Sequence, residues 1–139
     1  MRKEIEAKLG HLQKYRGYLA RHQGATLSQL QDDYMLRAAV ERYLQLCLEI
    51  VLEIGQMVIG AEGLRKPEKN REVIEILGEA GVLPASFAQR FAPAGGFRNI
   101  LVHGYEKVDI KEVYANLKRA EDFDIFARHI SAYLKKQKG

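Results

Sequence analysis

Arginine, histidine and tyrosine stand in the order R-x4-H-x-Y at Arg98, His103 and Tyr105, within the run Phe97-Arg98-Asn99-Ile100-Leu101-Val102-His103-Gly104-Tyr105. The chemistry open to such a set is phosphodiester cleavage in RNA. There the ribose 2′-hydroxyl attacks the adjacent phosphorus, so neither an activated water nor a metal is required. Histidine exchanges a proton near neutral pH, so His103 could accept the hydroxyl proton or protonate the departing 5′-oxygen. The planar guanidinium of Arg98 can hold phosphate oxygens and offset the charge that grows on a pentavalent transition state. Asn99 adds neutral donors and an acceptor beside it, and Tyr105 can donate to phosphate or stack on a base.

The same residue types also serve structure alone: a helix-end histidine caps carbonyls, an arginine forms an ion pair, a tyrosine anchors a core. Spacing does not decide between these roles. At about 100° per residue, Arg98 and Tyr105 are nearly aligned on a helix, whereas His103 lies roughly 140° away from Arg98. Gathering the set requires a helix that ends near Gly104, an arginine that reaches around, or a symmetric dimer that takes one group from each chain.

The elements that must position these residues are helices. Period-3.6 patterning dominates, and no strand alternation stands out. Ile5, Leu9, Leu12 and Leu19, extended by Tyr15, predict a first helix over about 3–22. Gly24 breaks it, and Thr26 and Ser28 are placed to cap a short turn of helix. Asp32 or Asp33 can cap the next helix, over about 34–59, which is apolar on much of its circumference and so suits the centre of a bundle. Gly60, Gly63 and Pro67 make a connection. Asn70 is then read as the cap of a short helix that Gly81 ends, and Pro84 as the first-turn proline of a helix running to Gly104. Pro93, Gly95 and Gly96 oppose helix interior and predict a kink or a close helix approach that needs a missing side chain. Asp109 can cap one last long helical stretch through 111–137. The expectation is all-α: a single domain over 1–139, an antiparallel bundle of four to five main helices.

Composition narrows the class. The chain has 139 residues, 47% hydrophobic and 29% charged, which suits one globular domain. No uninterrupted apolar run approaches the roughly 18 residues of a membrane span, and the first ten residues lack the apolar stretch of a signal peptide. A cytoplasmic protein without membrane association is expected. Residues 1–30 hold six basic and two acidic residues, which accounts for the whole net charge of +4. Such an element permits contact with an anionic partner such as RNA, although spaced bases also form ordinary solvated helix faces.

Other chemistry finds little support. His11, His22 and His129 stand apart from any carboxylate cluster of metal-ligand spacing, and the lone Cys47 sits on an apolar helix face. No phosphate-binding glycine loop is present, and Ser28, Ser86 and Ser131 sit in no nucleophile elbow. No metal or cofactor is expected.

The segment RNILVHGYEKVD at 98–109 resembles the signature of HEPN domains. With GVLP at 81–84, GFRN at 96–99 and LVHGYEKVD at 101–109 in order, the chain is similar, over essentially its entire length, to the HepT family. The resemblance implies a HEPN-like bundle that forms a homodimer with both signatures facing a shared cleft. It implies a metal-independent endoribonuclease toxin of a HEPN/nucleotidyltransferase (type VII) toxin–antitoxin system, acting on RNA. By this resemblance Arg98 and His103 match the catalytic pair and Asn99 the polar residue that follows the arginine. Tyr105 matches the tyrosine to which a minimal nucleotidyltransferase antitoxin (MntA-like) attaches AMP, silencing the toxin. The alternative is a non-catalytic HEPN module that binds a nucleotide or a protein in the same place.

Overall fold

One helix, α3 (Tyr34–Glu62), organises the molecule. The computed structural model describes residues 1–104 and 108–137. Around α3 lie α1 (Arg2–Ala20), α2 (Leu27–Asp32), α4 (Asn70–Glu79), α5 (Ala85–His103), α6 (Ile110–Lys118) and α7 (Glu121–Lys136), and no strand occurs among the described residues. The chain is all-α, as the patterning predicts. Its four long helices are α1, α3, α5 and α7.

By length and composition α3 is apolar enough to cross a membrane, although no uninterrupted apolar run of that length occurs in it. Along its middle the apolar residues are interior instead: Val40, Leu44, Cys47, Val51, Ile54 and Val58 are fully buried beneath the surrounding helices. Burial of this kind stabilises by about 1.5–3 kcal/mol per large apolar side chain. The Cys47 thiol is pushed up to about 12, chiefly by burial, and so stays protonated and inert.

Neighbouring long helices run antiparallel. Lys8 of α1 bridges Glu53 at 3.3 Å, and Tyr18 packs on Tyr43 with ring centroids 5.2 Å apart, so α1 descends as α3 ascends. On the other side of α1, Arg2 donates to the Leu134 carbonyl and Arg16 pairs with Asp124, which fixes α7 antiparallel to it. α4 is nested against α3 and α5 through three small residues. A Cβ on Gly55 would overlap Val73, one on Gly78 would lie 2.5 Å from the Ala88 Cβ, and one on Gly95 would lie 2.8 Å from the Asn70 carbonyl oxygen.

Gly95 thus answers the puzzle of the Pro93–Gly96 stretch. α5 is continuous through it, and the missing side chain admits the backbone of α4. Gly95→Ala should destabilise the fold by about 1–3 kcal/mol, since the obstacle is backbone and cannot rotate away. Gly96, one residue on, has nothing within 4 Å of its Cβ position. There alanine should stabilise by up to about 1 kcal/mol through helix propensity. Paired denaturant melts of the two variants read the difference.

The local signals mostly act as the sequence predicts. Thr26 and Gln29 form a reciprocal capping box, Asp33 accepts from the Leu36 amide, and Asp109 from the Lys111 amide. Gly63 and Gly81 take the left-handed conformation after α3 and α4. Three readings need correction. Asn70 is the first residue of α4 rather than its cap, and its side chain bonds across to α5. Pro84 occupies the position before the first turn rather than within it. The last stretch is two helices, because the chain turns at Arg119–Ala120 through bonds from the Ala120 amide to Leu117 and the Asp122 amide to Arg119. Asp122, buried at that turn, is held by Arg90 at 2.9 Å.

Candidate active site

α5 carries Arg98, Asn99 and His103 on its last turns and stops where Gly104 follows, its amide donating to the Ile100 carbonyl at 2.7 Å. Arg98 is half-buried and faces α3. Its Nη2 donates to Glu49 Oε2 at 3.3 Å, and its Nη1 to Asn99 Oδ1 at 3.2 Å. The same Asn99 oxygen accepts from Asn70 Nδ2 at 2.9 Å. The first turn of α4 therefore orients Asn99, and Asn99 with Glu49 orients the guanidinium. A shallow pocket of about 220 Å³ opens here, lined by Glu49, Leu52, Glu53, Gln56, Asn70 and Arg98.

Arg98 is held but not locked. Its ion pair with Glu49 is nearly a third exposed on both sides, and pairs so wetted contribute about 1 kcal/mol at most. A guanidinium has five N–H donors, so an incoming phosphate can share the fork or displace the carboxylate at small cost.

His103 is exposed and does not line that pocket. Because α5 stays helical from Arg98 to His103, the two are turned by roughly 140° and rise about 7.5 Å apart along the axis. One chain thus brings Arg98 and Asn99 together and leaves His103 apart. Tyr105 lies outside the described residues. The Val108 carbonyl accepts from Arg37 Nη2 at 2.9 Å, while the same guanidinium pairs with Glu41 at 2.6 Å. α3 thereby fixes the segment just past the motif.

Glu49 and Asn70 were missed as contributors by sequence reasoning. For Glu49 a signal existed: a carboxylate midway along a largely apolar helix. For Asn70 none did, since a residue of its type before a helix reads equally well as a cap. Among the described residues no group of three or more His, Cys, Asp or Glu side chains is placed to hold a metal ion. His22 instead lies near-parallel to the Tyr43 ring, and His129 packs beside Phe87.

The site is thus an arginine and an asparagine hydrogen-bonded near the end of one helix of an all-helical bundle, with a histidine at that helix's last residue. The HepT-like ribonuclease family model matches residues 5–130, and the chain belongs to that family. It is 27% identical over 131 residues to the tRNA nuclease HepT of Aphanizomenon flos-aquae, covering 94% of this chain and 89% of that protein. Two solved structures share the fold. One is the cytosolic protein YutE of Bacillus subtilis, with a TM-score of 0.82 and 23% identity, over 99% of this chain and 93% of that one. The other is a tri-AMPylated HEPN toxin of Shewanella oneidensis in complex with an MNT antitoxin, with a TM-score of 0.80 and 23% identity, over 92% of this chain and 96% of that one.

Proposed function

We propose that this chain is a metal-independent endoribonuclease, the toxin of a two-component system whose antitoxin is a minimal nucleotidyltransferase. The observation that carries the reading is the Arg98 guanidinium, oriented by Glu49 and Asn99 yet open to solvent, on the helix that ends in an exposed imidazole. Family membership supports the activity class.

The angular separation of Arg98 and His103 supports a composite site in a two-fold homodimer, where the end of one α5 faces its equivalent. Ile100, on the same turn as Asn99, is 39% exposed. A large apolar side chain left in water beside the motif is the material of an interface. In the shared cleft, one chain supplies the fork and the other the imidazole.

The reaction is a transesterification. The 2′-oxygen bonds to phosphorus as its proton passes to an imidazole, the bond to the 5′-oxygen breaks, and a protonated imidazole gives that oxygen its proton. Arg98 offsets charge on the non-bridging oxygens. The products are a 2′,3′-cyclic phosphate and a free 5′-hydroxyl. The test is cleavage of RNA by the purified chain in excess EDTA, together with its mass by light scattering. Cleavage by a dimer supports the reading. Nucleotide or protein binding without turnover would replace it with a binding module, and a monomer that retains full activity would remove the composite site.

A further inference from the structure

Away from the motif, the end of α1 and the first half of α3 build a line of aromatic rings and cations. Tyr15 and Tyr18 meet edge to face at 6.2 Å, Tyr18 tilts against Tyr43 at 5.2 Å, and His22 lies within 14° of parallel to Tyr43 at 6.5 Å. All four rings are part-exposed. Lys14 stands 5.9 Å from the Tyr15 centroid and Arg21 5.4 Å from that of Tyr18. The line continues onto α6, where Lys118 donates to the Gln23 carbonyl beside His22 and lies 5.2 Å over Tyr114.

The density of ring–cation contacts separates this surface from an ordinary solvated helix face. Cation–π pairs of this kind occur about once per 70–80 residues, and three cluster here. Lys14, Arg21 and the neighbouring exposed Arg42 pair with no carboxylate among the described residues, which leaves their charge open to an anion. Free cations beside part-exposed rings match a ligand that presents phosphates and flat bases together. Tyr43 lies six residues before Glu49 on the same helix, about 9 Å along its axis and roughly 120° around it, and Glu49 holds the Arg98 fork, so a strand that reaches both must wrap part of α3.

We propose that this α1–α3 ledge binds single-stranded RNA, its rings stacking bases and its cations contacting phosphates, beside the strand that Arg98 engages. The inference deepens the ribonuclease reading and rests on it for the identity of the substrate. It assigns substrate binding, not chemistry, to Tyr18, Tyr43, Lys14 and Arg21.

The experiment measures binding of a fluorescent single-stranded oligoribonucleotide to a His103→Ala chain, so that cleavage does not interfere. Tyr18→Leu keeps the apolar bulk and removes the ring, and a thermal melt confirms that the variant is folded. It should weaken binding roughly tenfold, the scale of one lost base stack, and leave binding of an abasic ribose-phosphate oligomer unchanged. Arg21→Ala should lower the slope of log affinity against log salt by about 0.7, and Tyr18→Leu should not. Tyr18→Phe should bind as the unsubstituted ring does. Unchanged affinity in folded Tyr18→Leu, an equal loss with the abasic oligomer, or a loss confined to the nucleotidyltransferase partner would overturn the proposal. If Tyr18 governs RNA binding but the chain with His103 intact never cuts RNA, the ledge stands and the ribonuclease reading falls. Cleavage that ignores Tyr18→Leu at subsaturating RNA overturns the ledge alone.

Discussion

His103→Ala and Arg98→Ala should each slow RNA cleavage by at least about 10²-fold, the usual effect of removing a proton-transfer group or a charge-stabilising donor. Both should leave the fold intact, because His103 is exposed and the Arg98–Glu49 pair is part-solvated. The double variant should be little slower than the worse single one, since groups that act on one transition state are not additive. Replacing the 2′-hydroxyl at the cut site by hydrogen should stop cleavage altogether. A product ending in a 3′-hydroxyl, or a requirement for magnesium, would overturn the mechanism.

The same two variants locate the site. If Arg98 of one chain works with His103 of the other, mixing the two inactive proteins restores one intact site in each mixed dimer. Random exchange then recovers about a quarter of the original activity, because half the dimers are mixed and each has one working site of two. If both groups act within one chain, the mixture stays inactive, since every site then carries a lesion. The roughly 140° between the two residues on a continuous α5 favours recovery.

Tyr105→Phe should escape silencing by the nucleotidyltransferase completely, while cutting RNA at nearly the original rate. Covalent reach alone keeps the Tyr105 Cα within about 7 Å of that of His103. An AMP joined there brings a bulky nucleoside and a negative phosphodiester to the cleft that must admit an RNA phosphate. The added charge competes for the Arg98 fork and repels the substrate backbone. Arg98 can make that exchange readily, because its hold on Glu49 is wetted. Mass spectrometry after incubation with the partner enzyme and ATP should place the adduct on Tyr105. An adduct on another residue, or full silencing of Tyr105→Phe by the same chemistry, would sink the assignment.

Much of the fold was legible because α1 and α3 advertise themselves through apolar period, and α2, α3 and α4 through Thr26, Asp33 and Gly81 at their ends. The break between α6 and α7 was not. Ala120, buried at the turn, keeps the spacing from Val113 and Leu117 to Phe123 and Phe126 unbroken, and no glycine or proline marks the place. Asn70 misled for a related reason: cap and cross-link use the same amide, and only the approach of α5 over Gly95 decides between them. In the site, the local spacing of Arg98, Asn99 and His103 was readable. The orientation of Arg98 depends on Glu49, 49 residues earlier, and no local pattern encodes a contact of that separation.

α3 touches every other helix of the bundle: α1, α2, α4, α5, α6 and α7. No helix can leave without wetting part of it. Opening should therefore be concerted, with a single unfolding transition rather than a sequence of detachments. The amide protons in the middle of α3, around Cys47 and Val51, should exchange with solvent only as fast as the whole molecule unfolds. The helix that pairs with Arg98, anchors Val108 and carries Tyr43 of the aromatic ledge is thus one whose middle opens only when the whole molecule does.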